Sequence, residues 1–245
     1  MQIPELCECN VSIGHHIWHL MPPRGKLTED QKKQAPVVVL LSGAGGFGGG
    51  GAPRPLASVW YFWADIPGNF RAPLTLSIPM ALEALRKTTT KTTKNKILLA
   101  GFSRGGRWVD EVILEHAELF DFAIAIAPYP RSKDQWKQRD WARQVMQVKR
   151  PILYIEFASD EFCNAGTYKI WFQELAVCMD LDPSSAPGCR RETFGFFMVA
   201  GVHQDGEKLF KSFNFKGLGD PDLTEFSEGA LAALSVGCHV FRDLA

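Results

Sequence analysis

The chain lacks an excess of charge of either sign: 27 Lys and Arg balance 27 Asp and Glu over 245 residues. Nucleic acids, anionic membrane surfaces and polyanionic substrates are met by a surplus of cations, so none of them is signalled as a partner. Long hydrophobic runs are also missing. Stretches such as Phe122 to Pro128 fall far short of the roughly 20 apolar residues of a membrane-spanning helix, and no integral membrane segment is expected. The N-terminal stretch MQIPELCECNVSIGHH has neither the basic nor the apolar region of a secretory signal, so the expected location is cytoplasmic. Cysteine is sparse, with 6 residues, too few for a disulfide scaffold. Cys178 and Cys189 are near enough in sequence to pair across a short loop, but free thiols are the expectation. There is no internal repeat and no interdomain linker, and nothing in the sequence speaks to oligomeric state.

What is present is an ordinary globular composition, 46% hydrophobic and 22% charged, long enough for one large core. A single domain over 1–245 is expected, with 1–35 as an N-terminal strand region. Continuous apolar runs occur at Val37 to Leu41, Ile97 to Ala100, Phe122 to Ala127, Ile152 to Phe157 and Phe194 to Val199. Runs without alternation suit central parallel strands covered on both faces. Val11 to Leu20 reads as an earlier, more exposed strand. Amphipathic stretches fall at Leu74 to Arg86, Arg104 to Leu119, Asp134 to Val148, Gly166 to Met179 and Leu223 to Val236. In the second, Trp108, Val109, Val112 and Ile113 share one helical face, and His116 on that stripe reads as a packing residue. The polar tract Lys87 to Lys96 reads as an exposed connector. The fold class is therefore α/β, a mostly parallel central sheet with helices on both faces.

The most informative segment is Ile97 to Gly106, where an apolar strand runs into Gly101-Phe102-Ser103-Arg104-Gly105 and a helix follows at once. A serine on so sharp a strand-to-helix turn has strained backbone angles, and side chains at the two glycine positions would collide with the strand and helix. The bland alternative is a tight turn whose serine caps the helix. A serine nucleophile needs a base, and the base needs an orienting acid. Asp160 follows the run Ile152 to Phe157, and His203 follows Phe194 to Val199, both in loops beyond buried strands. Asp160 is the first carboxylate past its strand, with Glu161, Glu156 and Asp205 as neighbouring alternatives. His15, His16, His19 and His239 do not follow a late buried strand. The glycine-rich stretch Ser42 to Gly51 can bring backbone N–H groups close to a substrate oxyanion. Those of Ala44 and Arg104 are the candidates, with Gly45 as substitute.

Other signals compete. Gly43, Gly45 and Gly48 match G-x-G-x-x-G, and Asp65 lies where a dinucleotide fold places its ribose-binding acid. Gly49, Gly50, Gly51, Pro53 and Pro55 make the following stretch a poor helix, which that reading requires. Cys7, Cys9, His15, His16 and His19 suggest metal, but C-x-C is tighter than the usual spacing and strand alternation would split the histidines, so no metal site is expected. Phe47, Trp60, Trp63 and Phe162 are aromatic candidates for substrate contact, the two tryptophans being equally readable as a buried strand. The segment Arg131 to Arg150 holds seven basic and two acidic residues with Trp136 and Trp141. It reads as a candidate cap helix over 131–150 or as a solvated surface helix.

These motifs resemble the α/β-hydrolase superfamily, and within it the compact serine esterases: feruloyl esterases, polyhydroxybutyrate depolymerases and the phospholipase/carboxylesterase or acyl-protein thioesterase group. The resemblance spans Pro36 to His203, with VVVLLSGAGGFGG similar to the oxyanion strand and loop, GFSRGG to the nucleophile elbow, ASDEF to the acid loop and GVHQD to the histidine loop. It departs at Ser42, where those enzymes commonly carry His, and at Arg104, where Gln, Met or a similar residue is frequent. The resemblance implies a single α/β-hydrolase domain with Ser103, Asp160 and His203 as a triad. It would act on a small-molecule ester or thioester without cofactor or metal. A non-catalytic, ligand-binding member of the fold is the alternative, and a dinucleotide-binding oxidoreductase a more distant one.

Overall fold

A computed structural model of the chain describes residues 9–13, 16–21, 28, 30–31, 35–43, 60–65, 77–83, 97–130, 132–148, 150, 152–162, 168, 170–171, 173–174, 188–191, 194–199 and 201–212. The strands are β1 (Cys9–Ile13), β2 (His16–Met21), β3 (Val37–Leu41), β4 (Trp60–Asp65), β5 (Ile97–Phe102), β6 (Phe122–Ile126), β7 (Ile152–Phe157), β8 (Gly188–Arg191) and β9 (Phe194–Val199). Three helices matter for the site: α1 (Arg104–His116), α2 (Gln135–Met146) and α3 (His203–Ser212).

The strands form one sheet in the order β1-β2-β4-β3-β5-β6-β7-β9-β8. From β4 across to β9 every neighbouring pair is parallel, while β1, β2 and β8 run antiparallel to their neighbours at the two edges. The apolar runs are explained by alternation between two cores. Val37, Val39, Leu41, Leu99, Ala123 and Tyr154 face one side, where Val109, Val112 and Ile113 of α1 and Ala142 and Val145 of α2 pack. Val38, Leu40, Leu98, Ile124, Leu153 and Phe157 face the other, against Leu209 and Phe210 of α3. A strand buried on both faces has no polar side to show, so its sequence does not alternate.

Expectations and structure differ in places. The stretch Val11 to Leu20 is a hairpin of two strands, with Cys9 opposite Leu20 and Ile13 opposite His16. His116, expected to pack, ends α1 half-exposed between Glu115 and Glu118 at 4.0 and 3.9 Å. The 131–150 segment holds α2, which belongs to the layer beside α1, with Ala142 and Val145 in that core. Arg139 and Arg143 reach Glu174 at 2.7 and 3.5 Å. Ala44, Gly45, Phe47, the tract Lys87 to Lys96, Cys178 and the stretch Leu223 to Val236 lie outside the described residues. Among the described residues no helix is long and apolar enough to cross a membrane.

One buried polar junction joins α1, α2 and β7. The Tyr154 hydroxyl donates to Asp110 Oδ1, and Trp141 Nε1–H donates to Asp110 Oδ2 at 3.1 Å. Burial pushes the Asp110 carboxyl up to about 7, Glu111 adding to the rise, while the two hydrogen bonds and Arg107 offset part of it. Burial, then the neighbouring Asp110 and Glu156, raise the Tyr154 phenol well above its ordinary range.

Candidate active site

The parallel strands end on one edge of the sheet, and Ser103, Asp160 and His203 follow three of them there. Ser103 sits between β5 and α1 with φ 54° and ψ −116°, a left-handed backbone that L-residues rarely adopt. It is held there from both sides. Its N–H donates to the carbonyl of Ile126 at 2.8 Å, and its carbonyl accepts the first helical bond from Arg107 N–H at 3.0 Å. The side chain does not cap α1, which sets aside the helix-capping alternative for this serine. The flanking glycines are required by contact: a Cβ on Gly101 would lie 2.3 Å from the Gly105 carbonyl oxygen, and one on Gly105 would lie 1.9 Å from that of Leu41.

Asp160 follows β7 and is 2% exposed. Both of its oxygens are engaged: Oδ2 is 2.6 Å from His203 Nδ1, and Oδ1 accepts the Phe162 N–H at 2.8 Å. A carboxylate fixed at both oxygens fixes the ring that it holds. The neighbouring carboxylates have other tasks. Asp205 Oδ2 accepts the Val202 N–H at 2.9 Å, closing the first turn of α3 as the acid of a capping box does. Glu161 Oε2 lies 3.4 Å from the His203 backbone N–H. Glu156 is fully buried inside β7, on the strand face that carries Tyr154. The acid loop is tied to the histidine loop by Ser159 N–H donating to the Gly201 carbonyl at 2.9 Å.

His203 is the first residue of α3 rather than a loop residue, because Asp205 starts the helix directly behind it. Its imidazole is in contact with two phenyl rings. Phe102, buried and next to Ser103 in the chain, is tilted against it at 4.8 Å between centroids, and Phe162 meets it edge-on at 4.8 Å. Phe102 thus spans the interval between the serine turn and the histidine. It was not among the sequence candidates, and its one signal is its place in the G-x-S-x-G motif directly before the serine.

Near this cluster stands Gly43, the first of the glycine-rich stretch: a Cβ built on it would stand 3.5 Å from Ser103 Cβ. Ser42 before it is wholly buried, and its hydroxyl makes no hydrogen bond among the described residues. Arg104 opens α1 with its guanidinium 5.0 Å over the Trp108 ring, and burial lowers its pKa from the ordinary arginine value. Trp60 and Trp63 lie in β4, an interior strand. Trp60 is opposite Val37 at the start of β3, the end of the sheet away from Ser103, and Trp63 is opposite Leu40. Asp65, the acid of the dinucleotide alternative, ends β4 opposite Ile17.

No family model matches the chain, and no curated protein matches it in sequence. Solved structures do. Est1E from Butyrivibrio proteoclasticus superposes with a TM-score of 0.52 at 12% identity, covering 84% of this chain and 96% of that one. A putative dienelactone hydrolase from Klebsiella pneumoniae gives 0.57 at 12% identity over 95% and 97% of the two chains. An alpha-beta serine hydrolase homologue from Coxiella burnetii gives 0.52 at 13% identity over 89% and 99%. With nearly the whole of each neighbour covered at such low identity, the likeness lies in the path of the chain: this protein has the α/β-hydrolase fold.

Proposed function

We propose that this protein is a serine hydrolase that cleaves a carboxylic ester, or a thioester, through an acyl-enzyme on Ser103. The observation that carries the reading is the 2.6 Å contact between His203 Nδ1 and Asp160 Oδ2, on the sheet edge where Ser103 stands in a strained turn. With Nδ1 held by the carboxylate, Nε2 is the ring nitrogen left to take a proton from Ser103. The serine then attacks the carbonyl carbon, and the oxyanion is met by the N–H of Arg104 and, in the adjoining loop, that of Ala44, with Gly45 as substitute. The imidazolium, steadied by Asp160, returns its proton to the leaving group. Water deprotonated by His203 then frees the acid. The scheme calls for no cofactor or metal, and hydrolase chemistry agrees with the names of the structural neighbours.

The test is labelling by a fluorophosphonate, together with hydrolysis of p-nitrophenyl esters from acetate to palmitate. Wild type is expected to label and to turn over, and Ser103→Ala to do neither. His203→Ala should lose turnover, and Asp160→Asn about three to four powers of ten in kcat. Folded wild type that never labels overturns the reading in favour of a ligand-binding member of the fold. Undiminished hydrolysis by Ser103→Ala overturns the assignment of the nucleophile.

A further inference from the structure

The described residues expose four large apolar side chains, and two of them flank His203: Val202, the preceding residue, at 39% exposure, and Phe162 at 65%. Phe162 is an ordered part of the acid loop, since its own N–H binds Asp160 Oδ1 at 2.8 Å and its ring meets the imidazole edge-on. The imidazole therefore meets two phenyl rings, one buried, Phe102, and one solvent-facing, Phe162. Of the two, Phe162 is the one open to solvent. Resting on the serine-hydrolase reading, we propose that Phe162, with Val202 beside it, is the contact surface for the alcohol portion of the substrate, and that the preferred substrates are esters of neutral, ring-bearing alcohols.

The assignment to the alcohol rather than the acyl side follows from proton transfer. The group that receives the proton from His203 Nε2 is the leaving oxygen, which must come within hydrogen-bond reach of that nitrogen. Whatever is bonded to that oxygen then starts beside the histidine, where Phe162 stands. Covering a phenyl ring with another ring removes apolar surface from water and permits an offset or edge-to-face contact. Glu161, next to Phe162 in the chain and with Oε2 3.4 Å from the His203 N–H, brings a carboxylate near and disfavours an anionic alcohol.

The test compares ethyl butyrate, benzyl butyrate and ethyl phenylacetate, so that a ring is placed on the alcohol or on the acyl side in turn. Because kcat/KM covers the steps up to loss of the alcohol, it reads the contact directly. Wild type is expected to prefer benzyl over ethyl butyrate by about tenfold, and Phe162→Ala to erase most of that ratio, with Phe162→Leu recovering part of it. An unchanged benzyl-to-ethyl ratio in Phe162→Ala, or a loss that follows the ring on the acyl side, overturns the proposal. Fluorophosphonate labelling separates the two levels of the argument. Wild type that labels and hydrolyses without an alcohol preference sinks this proposal alone, whereas wild type that neither labels nor hydrolyses sinks the hydrolase reading and the proposal with it.

Discussion

Ser103 is held in a conformation that an ordinary residue pays to adopt. A left-handed serine of this kind costs about 1–3 kcal/mol, and its side chain returns nothing by capping α1. The contacts that keep it there are backbone ones, to Ile126 and Arg107, and they would survive replacement of the side chain. Ser103→Ala should therefore fold with the strain intact. Ser103→Gly should relieve it, since glycine enters this region freely. Against this stands the greater freedom of glycine in the unfolded chain, worth about 0.4–1 kcal/mol, so the net gain of Gly over Ala is expected near 1 kcal/mol. That corresponds to a Tm higher by about 2–4 °C for a chain of this size. An Ala variant as stable as the Gly variant in a melt followed by circular dichroism would mean that no strain is stored at this turn. At this scale the sequence was informative: the serine, the acid and the histidine each follow an apolar run. Asp160 stood ahead of Glu161 and Asp205 as the first carboxylate past its strand, but its contact with Nδ1 depends on which carboxylate the fold turns toward that nitrogen. The two phenyl rings about the imidazole were not legible, because they meet it only in three dimensions.

At the scale of elements, legibility followed burial. β3, β5, β6 and β7 stood out because both of their faces are covered, and β9 by its apolar run. β8, with the sequence GCRR, is an edge strand without an apolar run. α3 went unread because HQDGEKLFKS puts a glycine inside a short polar stretch, of which Leu209 and Phe210 reach the core. Nor could spacing foretell that Asp110 of α1 would meet Tyr154 of β7 and Trp141 of α2. That junction makes a prediction about pH. The folded carboxyl titrates near 7 against an ordinary 3.8, so folding favours its protonated form. Its contribution to stability is full below about pH 4 and is lost as pH rises through about 7, over a span of the order of 4 kcal/mol. Asp110→Asn cannot ionise and lacks this dependence. Urea denaturation at pH 5, 6, 7 and 8 should show the variant gaining on wild type as pH rises. A stability difference independent of pH would place the Asp110 titration outside this range. The junction links the helix that follows Ser103 to the strand that precedes Asp160, so its loosening should reach the site.

Over the whole molecule, the order Ser103, Asp160, His203 follows from connectivity. β5, β7 and β9 run parallel, so the residue after each strand arrives on the same edge, and β6 between the first two supplies the carbonyl that holds the Ser103 N–H. One edge thus collects chain segments far apart in sequence, with β7 and β9 side by side and β5 one strand away from β7. The candidate site is built by topology, and net charge has no part in it. With 27 cations against 27 anions, the molecule carries no monopole to draw a charged substrate from a distance, and surface fields are screened within about 10 Å at 0.1 M salt. If the substrate is a neutral ester met by Phe162 and the backbone N–H groups, neither binding nor encounter depends on long-range attraction. Raising NaCl from about 10 mM to 500 mM should then leave kcat/KM for benzyl butyrate within about twofold, whereas an electrostatically steered reaction falls steeply over the same range. A steep fall would direct attention to Arg104, the cation next to Ser103 in the chain. In that case Arg104→Gln should flatten the salt dependence while keeping the backbone N–H at that position, so that the guanidinium and the proposed oxyanion donor are told apart by one substitution.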